Sequence, residues 1–277
     1  MKHFFISPHF DDAIGSCGAT IRQLRTRGEH VIVHTVFAGV PSPPFSQFAD
    51  ELHALWGCGD APVALRRRED AEACRTLDCL TRYSDVPEAL YRRSPQGKQL
   101  YPDAETLFGP AAEFEDDLHS LISREFINGL SKRQTKIYAP LGIGHHVDHV
   151  VTFRIGLECM WRGYEVCFYQ EFYYTDWECQ HLKGLQFQPV PRFASARDLE
   201  WKLKAFCCYS SQIPMLFGDL ARTAAYFTGN GRQMGDKSPF QERFWVLECM
   251  DGRDPRQSKE TALSCATTPH RACESLH

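Results

Sequence analysis

Apolar positions recur along the first forty residues in two rhythms, and the change of rhythm marks the elements. Phe4, Phe5 and Ile6 form an unbroken run within Lys2 to Ser7, the pattern of a short strand covered on both faces. Ile14, Cys17, Ile21 and Leu24 then repeat at helical spacing, which predicts a helix from Asp12 to Arg27 with Gly28 at the C-terminal cap. From His30 to Phe37 a Val/Ile-rich run predicts a second strand. Strand, helix and strand in this order imply parallel neighbours joined by a right-handed crossover.

The same reading continues down the chain. Pro41 to Pro44 opens a loop, and a helix is expected from Leu65 to Leu80. Residues 91 to 112 are rich in Pro, Gly and polar groups and read as a long loop or insertion. A helix over Asp116 to Leu130, a strand over Lys136 to Pro140 and a helix over Val147 to Arg162 follow. An aromatic-rich strand is expected from Glu165 to Tyr174 and a further helix from Leu199 to Leu216. After Gly252 the chain turns polar, so residues 253–277 are expected to be a disordered tail on one domain of residues 1–252. The alternation predicts a doubly wound α/β fold: a mostly parallel sheet with helices on both faces.

Composition narrows the function classes. With 277 residues, 43% hydrophobic and 24% charged, the chain is long enough to bury one large core. A formal net charge of −4 and the lack of a basic stripe argue against nucleic acid as a partner. The N-terminal apolar stretch is three residues long, far short of a signal peptide, and no run approaches the roughly 18 apolar residues of a membrane span. A cytoplasmic, soluble protein is therefore expected. Its twelve cysteines are scattered without a C-x-x-C, which suits free thiols in a reducing compartment, many of them buried as small hydrophobes. Oligomeric state leaves no trace in the sequence.

Two clusters carry candidate chemistry. Ser7-Pro8-His9-Phe10-Asp11-Asp12 stands where the first strand gives way to the first helix. Sites in open α/β sheets form outside the carboxyl ends of strands, and imidazole and carboxylate are good zinc ligands. His9 and Asp12 are three apart across a tight turn and can reach one ion, while Asp11 points differently and can meet a water on it. The alternative is that Asp11 and Asp12 only cap the helix. Gly142-Ile143-Gly144-His145-His146-Val147-Asp148-His149 occupies the equivalent place after the strand ending at Pro140. His146 and His149, three apart, share a helix face. Three histidines and an acid in five residues are hard to explain by packing, and both clusters sit at strand ends that can converge.

Pro8-His9-Phe10-Asp11-Asp12 together with His146-Val147-Asp148-His149 resembles the PIG-L / LmbE-like deacetylase family, a likeness that extends over roughly residues 2 to 250. The resemblance implies a Rossmann-like α/β fold, Zn2+ as cofactor, and removal of N-acyl groups, mostly acetyl, from glucosamine-type sugars. It implies His9, Asp12 and His149 as metal ligands and Asp11 as general base. His146 would stabilise the oxyanion or protonate the leaving amine, with Asp148 orienting it. Arg66, three before Glu69, matches a family arginine that can contact substrate. Phe10, Ala13 and Val147 replace a frequent proline, glutamate and proline of the pattern, and none of the three is a ligand position.

That chemistry is self-consistent. Zinc with three protein ligands keeps a position open for water and lowers its pKa to about 7. Asp11 would accept the proton released on attack, and a cationic His146 would hold the tetrahedral oxyanion. The expected partner is a small N-acetylated sugar or glycoconjugate. The rival readings are an amidase for a larger acyl group or a thiol conjugate, and a binding module that kept the fold without catalysis. Weaker signals read as structure: His34 as an interior histidine, Phe168 to Trp177 as mostly core, the glycines of Thr228 to Gly235 as a loop. Tyr209, Ser211 and Gln212 are further candidates to line the site.

Overall fold

In a computed structural model the chain is described at residues 1–59, 61–112, 115, 117–174, 180–190, 192–229 and 241–248. The tail from 253, Trp177 and most of the Thr228 to Gly235 segment lie outside them.

The opening pattern folds as read. β1 (Lys2–Ser7), α1 (Asp12–Thr26) and β2 (His30–Thr35) form a parallel crossover unit, with Phe5 opposite Val33 and Ile6 opposite His34. After β2 come α2 (Gln47–Trp56), α3 (Pro62–Thr76), β3 (Leu80–Tyr83), α4 (Ala104–Leu107), α5 (Leu118–Ile127), β4 (Thr135–Pro140), α6 (Val147–Trp161) and β5 (Glu165–Tyr169). The described C-terminal part adds β6 (Phe187–Pro189), β7 (Arg192–Phe193), α7 (Ala196–Phe206), α8 (Ile213–Leu216), α9 (Leu220–Gly229), β8 (Gln241–Glu242) and β9 (Phe244–Leu247). The main sheet has the order β3-β2-β1-β4-β5-β9-β6. Its first five strands are parallel, and β9 and β6 close the edge antiparallel.

Alternation along the buried strands feeds two cores. Phe5, Val31, Val33 and Tyr138 pack with α1, α3 and α7 through Ile14, Cys17, Ala73 and Phe206. Phe4, Ile6, Ile137 and Ala139 pack on the other face with α5 and α6 through Ile122, Phe126, Val151 and Ile155. Helices therefore cover both faces, as the pattern predicted. The strand order runs outward in both directions from the β1–β4 pair. That pair is the topological switch point, where crossovers diverge and leave a crevice at the carboxyl ends. Among the described residues no helix is long and apolar enough to cross a membrane.

Several boundaries differ from the pattern reading. The helix expected to reach Leu80 stops at Thr76, because Asp78 takes a left-handed φ of 61° and its N–H closes on the Arg75 carbonyl, freeing Leu80 to pair with Ile32. The aromatic strand ends at Tyr169, where β9 pairs with it. The helix expected over 199–216 is two: a capping box of Ser195 and Asp198 starts α7 early, and the chain breaks after Phe206. The 91–112 insertion is not bare loop, since Asp103 and Thr106 form a capping box that starts α4. α2, capped by Ser46, had no prediction.

Candidate active site and metal centre

The first cluster turns the corner between β1 and α1. Asp11 occupies the N-cap position, yet its side chain makes no capping hydrogen bond. Ser7 does that work, its Oγ accepting from Ala13 N–H at 2.9 Å. Asp12 Oδ2 accepts from His9 N–H at 2.8 Å and stands 3.3 Å from His9 Nδ1. Capping therefore does not account for the Asp11 carboxylate.

The second cluster enters at the end of β4, the strand paired with β1. Gly142, Gly144 and His145 all take left-handed φ values, 75°, 88° and 64°, in the turn before α6. A Cβ on Gly144 would meet the Tyr174 ring at 2.1 Å, so the close approach of that ring requires glycine. The turn delivers His149 so that its Nε2 lies 3.3 Å from the same Asp12 Oδ2.

The donor set fits a zinc-sized ion. Bonds of about 2.0–2.1 Å in a tetrahedron hold neighbouring donors about 3.3–3.4 Å apart, and Asp12 Oδ2 is 3.3 Å from both His9 Nδ1 and His149 Nε2. Each imidazole also commits its other nitrogen to a carboxylate. His9 Nε2 donates to Asp148 Oδ2 at 3.0 Å, and His149 Nδ1 to Glu171 Oε1 at 3.3 Å. Such pairs fix tautomer and ring orientation in histidine–metal sites. The ligand atoms of His9, His146 and His149 also lie within 4.8 Å of one another, so His146 borders the same point.

The electrostatics follow from burial and neighbours. Burial works against charge on both histidines, but bonds to Asp12 and Asp148 raise His9 to about 10, and Asp12 with Glu171 raises His149 to about 9. The carboxylates thus draw positive charge into this point. Burial, then the Asp12 charge, raises Asp11 to about 6, with Arg66 opposing. Burial and the nearby His9 hold His146 neutral, so the cationic form expected from sequence is not the resting one. Its Nδ1 accepts from Asp148 N–H at 3.2 Å, which leaves the proton on Nε2.

Asp148 sits differently from its expected role of orienting His146. Its carboxylate, fully buried, accepts from His9 Nε2, from Ala89 N–H at 2.9 Å and from Arg92 Nη1 at 2.6 Å. His146 is met by its backbone N–H, while the carboxylate is taken up by His9, Ala89 and Arg92. Arg66, 4% exposed, faces inward: its guanidinium pairs with Glu88, stands 3.7 Å from Asp11 Oδ1 and lies over the rings of Trp56 and Phe10. Tyr209 and Ser211 are spent on α3, donating to Asp70 at 2.7 Å and Glu69 at 2.6 Å. His34 is an interior histidine on Ser84.

Sequence reasoning missed Glu171, Glu88, Arg92 and Glu115. None belongs to a motif, and each is found only by its buried partner. The 91–112 insertion borders the site, since the Phe108 ring stands edge-on to His146 at 5.3 Å. Tyr174 stands edge-on to His149 at 5.4 Å on the other flank.

The PIG-L family model, described as GlcNAc-PI de-N-acetylase, matches residues 4–160. The chain is 32% identical over 268 residues to 2'-N-acetylparomamine deacetylase of Niallia circulans, across 88% of this chain and 90% of that protein. Among solved structures it is similar to the zinc-inhibited form of teicoplanin deacetylase Orf2, with 25% identity and a TM-score of 0.79 over 91% of this chain and 100% of that one. The A40926 pseudoaglycone deacetylase Dbv21 superposes with a TM-score of 0.73 at 26% identity, over 89% of this chain and 96% of that one. GalB, a hydratase of Pseudomonas putida KT2440, shares the fold alone, at 15% identity and a TM-score of 0.51 over 91% of this chain and 99% of that one. With the motifs, the strand-end placement and these matches in hand, the chain belongs to the PIG-L (LmbE-like) deacetylase family.

Proposed function

We propose that this chain is a zinc-dependent N-deacetylase that hydrolyses the acetamide of an amino sugar or of a glycoconjugate carrying one. The observation that carries the reading is the convergence of His9, Asp12 and His149 on one point at the switch of the sheet, with an uncapped Asp11 beside it. His9, Asp12 and His149 would hold the zinc, which when bound polarises the amide carbonyl and acidifies water. Asp11 accepts the proton of the attacking water and passes it to the leaving amine. Arg66 holds Asp11 in place from the α3 side rather than reaching substrate. His146 donates Nε2–H to the oxygen that gains charge as water attacks, and it does so as a neutral imidazole. Phe108 and Tyr174 flank the two histidines and form aromatic walls against which a sugar ring can lie.

The amino-sugar substrate draws support from the relatives, which include a 2'-N-acetylparomamine deacetylase, a teicoplanin deacetylase and an A40926 pseudoaglycone deacetylase. The eight described cysteines are all unpaired, which supports a cytoplasmic location. The test is a mass-spectrometric screen of N-acetylated amino-sugar conjugates against the purified protein. The expected result is a product lighter by one acetyl group, lost on treatment with chelator and restored by zinc. Turnover of long-chain acyl amides in preference to acetamides, or turnover that survives complete metal removal, would overturn the proposal.

A further inference from the structure

The insertion after β3 reaches beneath the metal point as well as beside its mouth. Arg92, buried, is gripped by two carboxylates at once. Its Nε and Nη2 donate to the two oxygens of Glu115, the latter at 3.0 Å, and its Nη1 donates to Asp148 Oδ1 at 2.6 Å and to the Pro87 carbonyl at 3.2 Å. Glu115 is held in turn by Tyr101 O–H, and Tyr101 by Ala112 N–H at 2.9 Å. The guanidinium lies 4.9 Å from the centre of the Phe37 ring and 5.4 Å from that of Tyr101. At the far end Asp148 Oδ2, fixed by Ala89 N–H, accepts from His9 Nε2 at 3.0 Å.

The geometry points to Arg92 as a positioning residue of the metal centre, acting through Asp148 to set the tautomer and orientation of His9. The physical reason is that a carboxylate holds a ring nitrogen only as well as it is itself held. With Oδ1 turned to Arg92 and Oδ2 to Ala89 N–H, the Asp148 carboxylate is fixed in rotation, and His9 Nε2–H takes the lone-pair direction that remains on Oδ2. That leaves His9 Nδ1 turned toward Asp12 Oδ2, the same oxygen that His149 Nε2 faces, where a bound metal would displace its proton. Only a planar fork serves Glu115 with two nitrogens and Asp148 with a third. A lysine ammonium keeps the charge and loses the geometry. Ala89, Arg92, Tyr101 and Glu115 are therefore part of the centre and not only of a wall at its mouth.

This inference rests on the proposed role of His9 as a ligand. The experiment measures zinc dissociation constants by competition with a chromophoric chelator for the parent, Arg92→Lys, Asp148→Asn and the double variant. The visible spectrum of the cobalt-loaded forms and the melting temperature of the metal-free forms are recorded in parallel. Changes to outer partners of metal ligands typically cost about 10- to 100-fold in affinity, and Arg92→Lys, one step further out, should lose about 10-fold and shift the cobalt spectrum. The double variant should bind no worse than Asp148→Asn alone. Parent-like zinc affinity in Arg92→Lys, or losses that multiply in the double variant, overturns the inference. Should Arg92→Lys fail to fold, Glu115→Gln carries the test: it should weaken zinc binding several-fold, and unchanged affinity overturns the inference. Failure of the underlying reading looks different: the parent binds no zinc, or His9→Ala binds it as the parent does.

Discussion

Replacing Asp11 by asparagine separates the catalytic reading of this residue from the capping one. The two side chains have nearly the same size and are about equally good at a helix N-cap, so a capping Asp11 would lose only a few tenths of a kcal/mol. The structure lowers even that figure, because Asp11 makes no side-chain cap bond and Ser7 Oγ serves Ala13 N–H instead. Nor does the change orphan Arg66, whose guanidinium keeps its ion pair with Glu88. The zinc point is likewise spared, since the carboxylate 3.3 Å from both imidazoles belongs to Asp12. What asparagine cannot do is accept a proton. General-base catalysis typically supplies about 100- to 10,000-fold, so the rate should fall by at least about 100-fold, or about 2.7 kcal/mol in activation free energy. The assay is the deacetylation rate at saturating substrate, with zinc content and melting temperature measured on the same preparation. Loss of zinc along with activity would mean that Asp11 is a ligand and that its role has been exchanged with that of Asp12. Full activity with full zinc would refute the mechanism while leaving the fold untouched.

Two further outcomes follow from other parts of the structure. Burial, only partly offset by hydrogen bonds from Tyr209 and Tyr83, raises Asp70 to about 7 from an ordinary 3.8. The folded protein therefore holds a proton there that the unfolded chain releases, so this group's contribution is full below about pH 4, declines toward pH 7 and is lost above it, by about 4 kcal/mol at most. Asp70→Asn should flatten that decline in denaturant unfolding measured between pH 5 and 8, and an unchanged slope would refute the assignment. Phe108, 43% exposed beside His146, should act on substrate and not on metal: Phe108→Ala should raise KM several-fold with zinc content and melting temperature unchanged, and an unaltered KM would remove Phe108 from the sugar-binding wall.

What was legible in the sequence was local. Phe4 to Ile6, the helical spacing of Ile14 to Leu24 and the run from His30 are periodic, and period reports which faces are covered whatever covers them. The two motifs could be placed at strand ends because each follows an apolar run directly, and parallel strands put such ends on one side. That β1 and β4 are neighbours, which brings the motifs together, lies in the order of the strands and in no stretch of sequence. Boundaries failed where a distant partner decided them, as at Asp78, where pairing of β3 with β2 ended the helix early. The partners of charged groups failed most. Asp148 was expected to serve His146 next to it, and tertiary structure hands its carboxylate to His9, 139 residues away, and to Arg92, 56 residues away. Glu171 and Glu115 carry no motif, because any carboxylate that folding buries beside a histidine or arginine performs the same task. The sequence by itself determined which residues can bind a metal and move a proton. Only the packed chain decided which of them face one another, because a buried charge must find its partner wherever the fold brings one within reach.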